Sequence, residues 1–239
     1  MKNGQLKPGY NFQISTHDQF ILNYSLHPQS TDTTTLESHL AGFYDLYGTY
    51  PKELVADAGY GSEENYSLME ELGIDAYVKY NTFDISKKRV KWEKKYPFHV
   101  SGLHYNPAKD CFICPIGQEM TFVGTRTRKT QTGFIQQLRR YEAQNCQDCP
   151  LRTSCHKRKN NRIVEVNLKL REQRAKVKKR LESEKGKAYR KKRPVDVEPV
   201  FGHIKYNRGR RRFWLRGKEK VEVEAGLIAI AHNLLKSVP

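Results

Sequence analysis

Two runs of alternating apolar residues commit the start of the chain to an antiparallel hairpin. Tyr10, Phe12 and Ile14 alternate, then Phe20, Leu22, Tyr24 and Leu26, with a polar turn around His17 and Asp18 between them. The pattern then changes period. Leu36, Leu40, Phe43 and Tyr47 recur at helical spacing after a Thr/Asp-rich cap, and Gly48 supplies the stop. Residues 53–57 (ELVAD) read as a short buried strand ending in an acid. Ser62 caps a helix carrying Glu63 and Glu64 in its first turn, Gly73 ends it, and residues 74–78 are a further strand. The order strand, strand, helix, strand, helix, strand predicts an α/β core.

From about Asn81 to about Asn161 this pattern breaks into lysines, prolines and short polar stretches that hold all 5 cysteines. The chain thus divides into residues 1–80, a cysteine-bearing insertion at 81–161, and residues 162–239, where basic helices return to the core. In the last helix Val223, Leu227, Ile230, Ala231 and Leu234 share one face, which predicts docking through that face, with His232 and Asn233 fixing the helix on the core.

A formal net charge of +17 makes nucleic acid the expected partner, since so much like charge repels itself unless an anion screens it. No apolar run approaches the roughly 18–20 residues of a membrane span, so the expectation is a cytoplasmic protein without membrane contact. The basic residues are grouped at 157–159, 176–180, 190–193 and 208–212, and phosphate contacts by such groups are salt-dependent and weak in sequence preference.

Two acids stand out. Asp57, in VADAGYGS, closes an apolar strand, where a carboxylate faces a crevice on a fixed backbone and suits a divalent cation, and Gly59 and Gly61 permit a sharp turn beside it. Glu198, in VDVEPVFGHIK, opens a helix that Asp196 is expected to cap, with Pro199 in the first turn and Lys205 two turns along. Each acid alone fits a turn or charge-balancing residue. Together they suggest two-metal phosphoryl transfer, which needs about three carboxylates around ions roughly 4 Å apart. The cysteines form two C-x2-C knuckles, Cys111/Cys114 and Cys146/Cys149, with Cys155 following, a spacing suited to a structural zinc ion. Spacing alone favours Cys111, Cys114, Cys146 and Cys149.

The blocks PGYNFQ, VADAGYGSEENY, CP…C-x-x-CP-x-R-x-x-C, YRKKRPVDVEPVFGHIK, RRFWLRG and AHNLLK resemble, in order, those of bacterial insertion-sequence transposases with a ribonuclease-H-like DDE (Asp-Asp-Glu) domain. The resemblance covers nearly the whole chain. It implies a ribonuclease-H-like mixed sheet with flanking helices, interrupted by a small zinc-ribbon-like insertion. It makes Asp57 the second catalytic aspartate and Glu198 the catalytic glutamate, both ligands of Mg²⁺ or Mn²⁺. Cys114, Cys146, Cys149 and Cys155 are then the shared zinc set, with Cys111 as the alternative ligand. Tyr189, Arg193 and Lys205 resemble the signature residues around the glutamate and, with Arg210, Arg211 and Arg212, are the expected DNA contacts. The partners implied are transposon ends and target DNA, in a homodimer or synaptic complex. In the family the first aspartate lies on a strand before the PGYN block, and MKNGQLK holds no acid. The expectation is therefore that the first core strand is missing and that this chain alone neither cleaves nor joins DNA. The rival reading is a non-catalytic nucleic-acid-binding module with a structural zinc site.

Overall fold

A computed structural model describes residues 9–84 and 96–238. MKNGQLK and Pro8, on which the expectation about the first strand bears, therefore lie outside the described residues. The chain forms two compact units, one of Met1–Tyr80 with Lys176–Pro239 and one of Asn81–Ala175.

In the first unit, β1 (Asn11–His17) pairs antiparallel with β2 (Phe20–His27). Asp18 and Gln19 both take positive φ, 49° and 65°, as the two central residues of a tight primed hairpin turn do. One face of the hairpin carries Phe12, Ile14 and Tyr24, which pack with Ile21 against Val200, Ile204 and Ala229. The other face is polar and is fastened to α1 (Leu36–Tyr47), where Asn23 donates to the His39 carbonyl at 2.8 Å. As its glycine stop predicts, α1 ends on Gly48 at φ 66°.

β3 (Glu53–Ala56) and β4 (Asp75–Val78) pair in parallel, joined through α2 (Glu63–Glu71). The Ser62 side chain accepts from the Asn65 amide, satisfying an orphan donor of the first turn. Gly61 serves close packing rather than a left-handed turn: its φ is −78°, and a Cβ there would lie 2.4 Å from the Lys79 carbonyl oxygen. Among the described residues the core is thus two separate two-stranded sheets, β1–β2 and β3–β4.

The second unit is a five-stranded antiparallel sheet in sequential order. Its strands are β5 (His104–Asn106), β6 (Cys111–Ile113), β7 (Glu119–Lys129), β8 (Ile135–Ala143) and β9 (Ile163–Val166), with the short α3 (Arg152–Cys155) before β9. Phe112, Met120 and Tyr141 are fully enclosed at its centre. The Tyr105 and Tyr141 hydroxyls both donate to Asp110 Oδ1 at 2.8 Å, and Arg139 pairs with the same carboxylate. The sequence gives little sign of this sheet. Most of β7, from Thr121 onward, is largely exposed on both faces, so Thr, Arg and Lys replace the alternation that marks a half-buried strand.

α4 (Leu168–Glu182) and α5 (Glu184–Asp196) follow, with Ser183 capping α5 and Pro194 inside it. Asp196 therefore ends α5 instead of capping the next helix, and its carboxylate accepts from the Gln19 amide at 2.5 Å. α6 (Glu198–Gly202) begins with no side-chain cap.

The last helix, α7 (Lys218–Ser237), is turned differently from expectation. Val221, Ala225, Ala229 and His232 are buried, while Val223, Leu227, Ile230 and Leu234 are 58–64% exposed. Hydrogen bonding to β2 sets this orientation. Asn233 accepts from the Ile21 amide and donates to its carbonyl, both at 2.8 Å, and His232 Nε2 donates to the Gln19 carbonyl at 2.9 Å. These bonds satisfy backbone groups that a strand edge otherwise leaves open. No helix among the described residues is long and apolar enough to cross a membrane.

Candidate active site

Between β1 and β3 lies a chamber of about 540 Å³. Every residue of both strands lines it, with α1 and α5 contributing His39, Leu40, Tyr189 and Arg193. Side chains of one strand alternate between opposite faces, so residues of both parities border a common space only along the strand's edge. The backbone edges of β1 and β3 thus face each other across the chamber.

Asp57 follows directly on β3 and lines the chamber. Its side chain is 60% exposed, and Oδ2 accepts from Arg193 Nη2 of α5 at 2.5 Å, while Arg193 itself is 23% exposed. Tyr189, one helical turn earlier, donates its hydroxyl to Glu53 at the start of β3 and meets Tyr77 edge-on with ring centroids 5.0 Å apart. Glu53 also pairs with Lys185. The Lys185 ammonium, then the Tyr189 hydroxyl, hold the Glu53 carboxyl below the usual carboxylate range.

The structure adds residues that the sequence reading overlooked. Asp32 lines the chamber, and its Oδ1 accepts from Asn11 and Gln13 of β1 at 2.8 and 2.9 Å. Its carboxylate lies against the turn after Asp57, where a Cβ on Gly59 would meet Asp32 Oδ2 at 3.1 Å. The Tyr60 hydroxyl donates to the Gln13 side chain, and burial, then the Asp32 and Asp57 charges, push its pKa up. The only sequence signal for Asp32 is its place in a Thr-rich cap, because its partners lie on other elements.

Glu198 sits differently. It is exposed at the first position of α6 and is not among the residues lining the chamber, although Val197 and Phe201 on either side of it are. Lys205 is exposed, with Nζ 4.7 Å from the Phe201 ring centroid. Arg210 lies 3.8 Å over Trp214, Arg211 lies 5.3 Å over Tyr206, and Arg212 is exposed. Phe213 packs edge-on to Phe12, whereas Trp214 is 75% exposed.

In the second unit, Cys114, Cys146, Cys149 and Cys155 line one small cavity together with His156 and Arg162. Cys111 is buried within β6 and is not part of that lining. Arg162 Nη1 donates to Cys155 Sγ at 3.0 Å, and His156 Nε2 is buried without a hydrogen-bond partner. Burial pushes the Cys155 thiol up. Among the described residues no group of three or more His, Cys, Asp or Glu side chains is arranged to hold a metal ion.

The sequence model of one protein family, described as "Transposase DDE domain", matches residues 113–238, more than half of the chain. The chain belongs to this family. The matched span takes in Glu198 and the basic helices, while Asp57 lies before it. Comparisons with curated proteins and with solved structures find no match. The transposase is therefore placed by its family alone.

Proposed function

We propose that this transposase cleaves and joins DNA by phosphoryl transfer at the chamber mouth, with Asp57 and Glu198 as carboxylate ligands of Mg²⁺ or Mn²⁺. The observation that carries this is the chamber itself. Two strand edges face each other across a gap, and an acid stands where one of them ends. An extended strand in that gap would hydrogen-bond to β1 and β3 and unite the two small sheets into the ribonuclease-H-like mixed sheet the family resemblance implies. Such a strand bearing an acid would supply the third carboxylate.

The donor chemistry fits in part. Carboxylate oxygens are what a hard divalent cation takes, and Asp57 and Asp32 both line the chamber. Arg193 pairs with Asp57, and its guanidinium would have to give way for that carboxylate to hold an ion. Glu198 does not line the chamber, and to act as a ligand its exposed side chain would have to turn toward the mouth, which Val197 before it and Phe201 after it border. When bound, the metal would activate the attacking hydroxyl and stabilise the leaving oxygen. Arg193 and Lys205, with Tyr189 beside them, would hold the DNA backbone, as would Arg210, Arg211 and Arg212 further along. Transposon ends and target DNA are the partners in this reading, with two copies of the chain in one synaptic assembly.

The experiment is Mg²⁺-dependent cleavage and joining of terminal-repeat DNA by this chain, with and without an N-terminal extension encoding a strand with a central aspartate. Activity is expected with the extension and should fall to background in Asp57→Asn and in Glu198→Gln. Activity indifferent to both substitutions would refute the assignment. The exposed position of Glu198 and the Arg193 contact on Asp57 favour a second reading, a nucleic-acid-binding module without catalysis. That reading gains if the extended chain binds DNA but never cuts it. In the second unit, Cys114, Cys146, Cys149 and Cys155 are proposed as ligands of a structural Zn²⁺, reached by rotation of the thiols about the cavity they already line.

A further inference from the structure

Phe213 and Trp214 are neighbours with opposite surroundings. Phe213 packs edge-on to Phe12, while Trp214 is 75% exposed. The backbone imposes that exposure. Glu224 of α7, itself buried, accepts from the Trp214 and Leu215 amides through Oε2 at 2.9 Å, and its Oε1 shares the Trp214 amide at 3.0 Å. Bonds from amides to an ionised carboxylate are among the stronger ones, so the chain is pinned here. With Phe213 turned inward, the indole is held out in solvent. Gly209 and Gly217, at φ 64° and 85°, bound the loop that carries it. One face of the indole is covered by the Arg210 guanidinium, 3.8 Å from the ring centroid, and the exposure leaves the other face open. Tyr206 repeats the arrangement, 69% exposed with Arg211 5.3 Å over its ring. Residues 199–218 hold seven Lys and Arg and no acid. Among the described residues no carboxylate pairs with Arg210, Arg211, Arg212 or Arg216.

We propose that this loop is a stacking platform for unpaired nucleobases, with Trp214 as its main ring and Tyr206 as its second. A lone exposed aromatic is ordinary. This one is held out by a buried carboxylate, in surroundings that carry the charge for a phosphodiester chain. An apolar protein surface would suit the indole but would bury guanidiniums without partners, which is costly. A nucleic-acid strand suits both, because its phosphates meet the guanidiniums while a base lies on the open face of the ring. Base pairing then decides which form of nucleic acid gains. In a duplex the neighbouring pairs cover each base face, and only the backbone is offered to the loop. An unpaired base presents its face, and every base has one, so the preference is for strandedness and not for sequence. The platform shares with the reading above only its nucleic-acid partner. Its test uses neither metal nor cleavage, so its failure leaves the chamber chemistry standing, and an inert chamber leaves the platform standing.

Tryptophan emission of the 239-residue chain is titrated with three ligands. They are a non-self-complementary DNA strand of about 12 nucleotides, that strand annealed to its complement, and an abasic chain of equal length. The single strand should quench the emission strongly and the other two much less. The quenching should be absent in Trp214→Phe, which leaves Trp92 as the chain's sole tryptophan. By anisotropy of the labelled ligands, Trp214→Ala should weaken single-strand binding on the order of 10-fold and duplex binding less than about 2-fold, with Trp214→Phe recovering most of the loss. If Trp214→Ala does not fold, the wild-type comparison of strand, duplex and abasic chain decides. Equal quenching by the duplex or the abasic chain overturns the proposal. So does an effect of Trp214→Ala that is the same for strand and duplex, or a single strand that does not bind.

Discussion

Acid should unfold the first unit through His39, and the size of the effect follows from its surroundings. The ring lies against the polar face of the β1–β2 hairpin, with Ser15 Oγ 2.7 Å from Nε2 and Ser25 Oγ 2.6 Å from Nδ1, and its pKa is lowered to about 4 because burial disfavours the imidazolium. A neutral ring donates from one nitrogen and accepts at the other, which suits two flanking hydroxyls. The unfolded chain takes up this proton near pH 6.5 and the folded one only near pH 4. Between those values the unfolded state holds more protons, so stability is complete above about pH 6.5 and falls as pH falls. From His39 alone the loss is about 2 kcal/mol at pH 5 and about 3 kcal/mol at pH 4. His27, joined to the same Ser25 at 2.7 Å, has a pKa also lowered by burial and adds loss of the same sign. Urea unfolding at a series of pH values measures the slope. In His39→Gln, which keeps an amide donor and acceptor, the slope between pH 6.5 and 4 should become much shallower, leaving the share of His27. An identical slope in wild type and variant would show that the ring is not held neutral, and the argument from burial would fail.

The other predictions concern packing and the thiols. Gly61→Ala places a Cβ 2.4 Å from the Lys79 carbonyl oxygen and 2.9 Å from Tyr80 Cα, both backbone atoms. It should cost about 2–3 kcal/mol in urea unfolding, and a change within error of zero would mean that the two segments part easily. If zinc is held as proposed, Cys114→Ser should abolish stoichiometric zinc in protein purified without chelator, and Cys111→Ala should retain it. Equal loss in both would return Cys111 to the ligand set.

What could be read in the sequence was local. The β1–β2 hairpin, the end of α1 at Gly48 and the Ser62 cap of α2 each depend on residues within a turn or two of one another, and the structure has them where their spacing puts them. The five-stranded sheet was not legible because β7 buries almost nothing on either face beyond Met120. The orientation of α7 misled for another reason. The helix offers two apolar faces, and the larger side chains lie on the wrong one. Ala225 and Ala229 pack because they are small, and Gly226 lets the Tyr24 hydroxyl approach to where a Cβ would be 2.6 Å away. Asp32 escaped notice because only the folded chain brings it to Gly59, and Glu198 was marked by its sequence context, which does not specify where an exposed side chain rests.

The two ends of α5 hold the chamber unequally. At Glu53 the carboxylate, 26% exposed, meets both the Lys185 ammonium and the Tyr189 hydroxyl, and the Tyr189 ring is further set against Tyr77. Several contacts converge there, so this end fixes the helix to β3. Two turns on from Lys185, Arg193 pairs with Asp57, on a carboxylate that is 60% exposed. Surface ion pairs of that kind contribute about 0–1 kcal/mol, because water competes for both partners. If Asp57 ligates a divalent cation as proposed, losing this pair would cost little and would not detach α5, and Arg193 would remain nearby to hold a phosphate. The anchored end keeps Asp57 and Arg193 in register, and the weak end would let them exchange partners in the proposed reaction.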